Sequence, residues 1–162
     1  MKYSDGRIVL WAAICVDASD PSSATTDGLF QKRMERTPLH ARIVVADDFA
    51  PIRGGLKALL GDTVCGEAAN GQEAVDKVLE LHPDLIVLDL SMPVKDGLEA
   101  AREIRALAPQ TKILIFTLYD SVSLRAEVFQ AGADGFLCKD SPSGKVLETV
   151  NALVQRCSIH AQ

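Results

Sequence analysis

Asp84-Leu-Ile-Val-Leu-Asp89 places four apolar residues in a row between two aspartates. The run is too short for a helix, and it does not alternate apolar with polar. It reads instead as a strand covered on both faces, the signature of a central parallel strand. Working outward, Arg42-Ile-Val-Val-Ala46 is a second β-branched run, ending in Asp47-Asp48. Thr63-Val-Cys-Gly-Glu67, Thr111 to Phe116 and Ala133 to Leu137 read as three more strands.

Between these runs apolar residues return at helical spacing. Ile52, Leu56, Leu59 and Leu60 form one stripe; Ala74, Val75, Val78 and Leu79 form the next, capped by Asn70 and stopped by His82-Pro83. Met92-Pro93 and Asp96-Gly97 make turns, after which Leu98, Ala101, Ile104 and Leu107 lie on a helix ending before Pro109. Leu124, Val128 and Ala131 mark a fourth helix stopped by Gly132, and Val146, Leu147, Val150, Leu153 and Val154 a fifth. Five strand–helix units in strict alternation predict an α/β fold, a doubly wound parallel sheet with helices on both faces. Right-handed crossovers leave the flavodoxin-like (βα)5 strand order 2-1-3-4-5.

The composition narrows the classes of partner. Of 162 residues 48% are hydrophobic, and the net charge is −5, with no clustered Lys and Arg. Direct nucleic-acid binding through a basic surface is therefore not expected. Cys15, Cys65, Cys138 and Cys157 form no C-x-x-C pair and no pattern with His40, His82 or His160, so neither a zinc site nor a disulfide framework is expected. Scattered thiols suit a reducing cytoplasm. Lys2 and Arg7 precede an apolar run, Ile8 to Val16, that is too short to span a bilayer and lacks a clean cleavage site. Residues 1–40 read as a flexible extension, with Met34 the expected true start; 41–157 form the domain, and 158–162 a tail.

The strands end in polar residues of one kind. Asp47 and Asp48 follow strand one, Asp89 strand three, Thr117 strand four and Lys139 strand five. Strands one and three are neighbours in the expected order, so three carboxylates converge at one mouth. Close carboxylates repel one another unless a cation is present, and Mg²⁺ favours a few carboxylate oxygens plus water and a phosphate oxygen. An ammonium and a hydroxyl beside them suit phosphoryl transfer, which is mostly positioning and electrostatics. Asp89 would be the nucleophile. Any one of these residues alone would read as a helix cap, a turn or a surface charge. Five at the matching ends of alternating units would not.

The chain resembles, over about residues 41–156, the receiver domain of bacterial response regulators. The resemblance rests on Val45-Ala-Asp47-Asp48, Leu88-Asp89-Leu-Ser-Met-Pro93 with Asp96-Gly97, Phe116-Thr117, and Ala131-Gly-Ala-Asp-Gly-Phe136-Leu-Cys-Lys139. It implies that Asp89 is the phosphorylated residue and that Asp47, Asp48, Asp89 and the backbone carbonyl of Ser91 hold Mg²⁺. Thr117 and Lys139 would contact the phosphoryl group, and Thr117 with Phe136 would form a two-state switch over the helix from Asp120 to Ala131. The implied partners are a sensor histidine kinase or phosphotransfer protein, a downstream protein target, and a second copy of the chain through its fourth and fifth helices. Beyond its own phosphoryl transfer and hydrolysis, the domain is not expected to be an enzyme.

The last segment is most similar to receivers of the NarL/LuxR-type transcription factors. Two departures stand out. Leu118 occupies a position where many receivers carry a small residue, so it could crowd the phosphodonor or water. Only five residues follow Cys157, too few for a helix-turn-helix. The expected output is therefore protein binding, unless the chain is the receiver part of a truncated DNA-binding regulator. Two other readings compete. A haloacid-dehalogenase-like hydrolase would need an aspartate where Ser91 stands. A phosphate-independent interaction module would have favoured loss of an acidic residue or of Lys139.

Overall fold

The computed structural model describes residues 41–158, with side chains to residue 155; the extension 1–40 and residues 159–162 of the tail lie outside the described residues. Five strands alternate with five helices. They are β1 (Ile43–Ala46), α1 (Ala50–Leu60), β2 (Val64–Ala68), α2 (Gly71–Leu81), β3 (Leu85–Leu88), α3 (Gly97–Leu107), β4 (Lys112–Thr117), α4 (Val122–Gln130), β5 (Gly135–Cys138) and α5 (Ser143–Ser158). All four pairings are parallel and the sheet order is β2-β1-β3-β4-β5. No helix among the described residues is long and apolar enough to cross a membrane.

Strand periodicity splits the core into two layers. Ile43, Val45, Leu85, Val87, Leu114 and Phe116 point to one face, against Ile52 and Leu56 of α1 and Val146, Val150, Leu153 and Val154 of α5. Val44, Ala46, Ile86, Leu88, Ile113 and Ile115 point to the other, against Ala74, Val75 and Val78 of α2 and Ala100, Ala101 and Ile104 of α3. β3 is buried at every position, as its unbroken apolar run requires. Each such Leu or Ile contributes about 1.5–3 kcal/mol of transfer free energy.

The expected elements are all present, with local corrections. Asn70 caps α2, its side chain accepting from Glu73 N, and His82 ends the helix at φ 47°. Leu79 and Leu107 are exposed, although both read as members of apolar stripes. Val78 already faces the sheet, so Leu79 one residue on is rotated outward, and Leu107 is the last residue of its helix, beyond the buried stretch that ends at Ile104. The fourth helix starts at Val122 rather than Asp120, because Ser121 accepts from Leu124 N as its cap. β5 starts at Gly135 rather than Ala133, because the preceding residues are held elsewhere. Arg105 of α3 donates to the carbonyl of Gly132, which sits at φ 101°, and pairs with Asp134.

Candidate functional site

The ladder continues past the strand ends and fixes the site's backbone. Asp47 N donates to Ala68 O, Asp89 N to Ala46 O at 2.9 Å, and Lys139 N to Thr117 O at 2.8 Å. Since Ala46 pairs with Leu88 and Thr117 with Cys138, the residues that follow arrive at one end of the sheet. This end holds the point where strand order reverses between β1 and β3. Gly97 permits the return of the β3–α3 loop: a Cβ there would lie 2.0 Å from Asp89 O.

The side chains meet. Lys139 Nζ lies 2.6 Å from Asp47 Oδ2 and 3.1 Å from Asp89 Oδ2. Lys139 is 7% exposed and Asp47 1%. Burial pushes the Asp47 carboxyl up to about 6, against the opposing pull of Lys139, with Asp89 adding to the rise. Burial pulls Lys139 down, but Asp89 and Asp47 together outweigh it and hold the amine above its ordinary value. Both groups are thus raised, the carboxyl by burial and the amine by its two carboxylates, and perturbed titratable groups sharing one cleft point to a functional site.

Asp47, Asp48 and Asp89 each offer a carboxylate oxygen, and these oxygens lie within 4.8 Å of one another. Ligands around Mg²⁺ sit roughly 3–4 Å apart, as metal–oxygen lengths near 2.1 Å require, so small side-chain adjustments suffice. Asp47 Oδ2 is buried with the Lys139 ammonium 2.6 Å away, and this single contact leaves lone-pair capacity on the oxygen. Three hard oxygen donors, one with an unsatisfied lone pair, fit a small divalent cation.

A cavity of about 100 Å³ opens above the acidic group, lined by Asp48, Ser91, Thr117 and Lys139 together with Phe49, Leu118 and Tyr119. Thr117 is fully buried, and its hydroxyl accepts from Tyr119 N at 3.4 Å. Five of the expected site residues thus gather with Ser91 at one mouth. Phe136 stands apart from the cavity, half-buried on β5. Three features were missed in the sequence. Phe49 follows the aspartates as part of the mouth's apolar rim; Arg53 braces the strand end by donating to Asp47 O at 2.7 Å; and Arg125 covers the Phe136 ring. The first two follow Asp47 by two and six residues and could have been found from that proximity.

A doubly wound parallel sheet with three carboxylates and an amine at its switch point defines a class of signalling domain. Residues 43–151 match the family profile described as the response regulator receiver domain. The chain belongs to that family. It is 40% identical over 119 residues to the oxygen regulatory protein NreC of Staphylococcus epidermidis, covering 70% of this chain and 55% of that protein. The chemotaxis protein CheY of Thermotoga maritima is 36% identical over 113 residues, covering 68% of this chain and 94% of CheY. Among solved structures, the signal receiver domain of the putative response regulator NarL from Mycobacterium tuberculosis superimposes with a TM-score of 0.69 at 31% identity, covering 73% of this chain and 98% of that domain. The chain spans about half the length of NreC, and nearly all of CheY.

Proposed function

We propose that the domain accepts a phosphoryl group on Asp89 in a Mg²⁺-dependent phosphorelay and uses the change to alter its protein-binding surface. The observation that carries this reading is the position of Lys139 Nζ against both Asp89 and Asp47. A buried ammonium facing the nucleophile is where negative charge on a transferring phosphoryl group would be met. An Asp89 oxygen attacks phosphorus, the bond from phosphorus to the donor's histidine nitrogen breaks, and the imidazole leaves and takes up a proton. Lys139 turns from the carboxylates to the phosphoryl oxygens, and the Thr117 hydroxyl donates to another. Asp47, Asp48, Asp89 and the Ser91 carbonyl would hold Mg²⁺. That ion supplies charge neutralisation for carboxylate and phosphoryl oxygens alike.

The added charge of about −2 draws Thr117 inward, leaving space into which the Phe136 ring turns, so that α4 and β5 present a different surface. The donor is a sensor histidine kinase or phosphotransfer protein, and the output a downstream protein or a second copy of the chain. A cytoplasmic setting agrees with the half-buried thiols of Cys65 and Cys138.

Incubation with phosphoramidate and Mg²⁺, followed by intact mass, tests the reading. A phosphate-sized increment is expected that Asp89→Ala abolishes and EDTA prevents. A stable increment that forms without Mg²⁺ on another residue would overturn it.

A further inference from the structure

Arg125 joins three parts of the molecule around Phe136. From the start of α4 its Nε donates to Asp120 Oδ1 and its Nη2 to Asp120 Oδ2, each at 2.6 Å. Its guanidinium carbon lies 4.7 Å from the centre of the Phe136 ring. Asp120 belongs to the loop that leaves β4 directly after Thr117, and Phe136 belongs to β5. The loop is further tied to β5 by Cys138 Sγ, 3.7 Å from Leu118 O. A lone surface ion pair adds little. Here, however, a planar fork engages a carboxylate through two bonds while its face covers an aromatic ring, a geometry a lysine cannot reproduce.

This clasp is closed in the same arrangement in which Lys139 pairs directly with Asp89. On the reading proposed above, on which this inference rests, the ring leaves the guanidinium when Asp89 is phosphorylated. The stack then belongs to one of two states. By linkage, an interaction confined to one state weakens every ligand that favours the other.

We infer that Arg125 is a positioning residue that sets the threshold of the switch. By gripping Asp120 and covering Phe136, it holds the β4–α4 loop and the ring in their resting place and opposes phosphoryl capture at Asp89.

The experiment titrates the full-length protein with beryllofluoride, a phosphoryl mimic, at saturating Mg²⁺ and follows binding by fluorine NMR. Amide hydrogen exchange over residues 118–131 is read without either ion. Arg125→Ala is expected to bind the mimic roughly threefold to tenfold more tightly, the factor expected from losing one exposed ion pair and one cation–π contact. Exchange in the loop is expected to quicken. Asp120→Asn keeps the stack and loses the ion pair, so its gain should be smaller; it also serves as the test if Arg125→Ala does not fold. Arg125→Lys should restore only part of the wild-type behaviour. A merely structural arginine would leave the affinity unchanged or lower it, and that result in both single variants overturns the inference while the phosphoacceptor reading stands. Failure of the wild type to bind the mimic overturns both.

Discussion

Helices α3 and α4 cover the same face of the sheet, yet they are fastened very differently. α3 buries Gly97, Ala100, Ala101 and Ile104, is capped by Asp96, and sends Arg105 across to Gly132 and Asp134. α4 buries Val128 alone, while Val122 is 87% exposed and Phe129 50%. Elements with few buried apolar contacts open at low free energy. α3 therefore holds the loop beside Asp89 in place, and α4 is the element free to respond. Its carboxyl end is moored through Gly132, and its amino end by the Ser121 cap and the exposed clasp of Asp120 and Arg125.

The largest expected effect breaks or keeps this contrast directly. Ile104→Ala should cost about 2–5 kcal/mol, because it empties a fully buried site in the core. Phe129→Ala should stay within about 0.5 kcal/mol, as an exposed substitution. Urea unfolding monitored by circular dichroism gives both values. Equal losses would mean that α4 is as firmly seated as α3.

How much was legible follows from the same contrast. The unbroken apolar runs of β1, β3 and β4 mark these as strands covered on both faces, since a half-exposed strand would alternate apolar with polar residues. Once alternation places the strands, the polar residues that end them must share one mouth, so Lys139 against Asp47 and Asp89 was readable as a set. Arg125 was not readable, because its partners are Asp120 on the loop before it and Phe136 on a strand beyond a turn. No spacing rule connects them. The short burial of α4 was hidden for a related reason: Leu124, Val128 and Ala131 make a stripe, and nothing in a stripe says how deeply it will sit. Leu79 and Leu107 are the converse case, apolar residues at helical spacing that the helix turns to solvent.

A second test concerns the rigid end. Asp47 has its carboxyl raised by burial to about 6. Between the ordinary carboxylate range and pH 6 the folded chain then binds more protons than the unfolded one, so this group's contribution to stability falls as pH rises. Ionising it in the fold costs about 2–3 kcal/mol at pH 7. In EDTA, the stability of wild type minus that of Asp47→Asn should fall by about 1–1.5 kcal/mol from pH 5 to pH 7, the rest of the cost being already present at pH 5. Saturating Mg²⁺ should flatten the difference, since the cation favours the ionised carboxylate. A flat difference in EDTA would mean that Lys139 fully compensates the buried charge.

The smallest effect separates the two entry loops. Val94, between Asp89 and α3, sits at φ 69° with its side chain 83% exposed. A β-branched residue resists that region, and the cost of holding it there is about 1–2 kcal/mol. The loop tolerates it because the chain on either side is secured: Gly97 N donates to Leu90 O, Gly71 N to Lys95 O, and Lys95 pairs with Glu103 of α3. Gly adopts this conformation freely but loses more backbone entropy on folding. Val94→Gly should thus raise stability by a net ~0.5–1 kcal/mol in urea unfolding, with hydrogen exchange in α4 unchanged. A loss of stability would mean that the exposed Val94 side chain is held by contacts it was not expected to make. Quickened exchange in α4 would mean that the strained loop steadies both helices, and the division between a fixed α3 and a responsive α4 would fail.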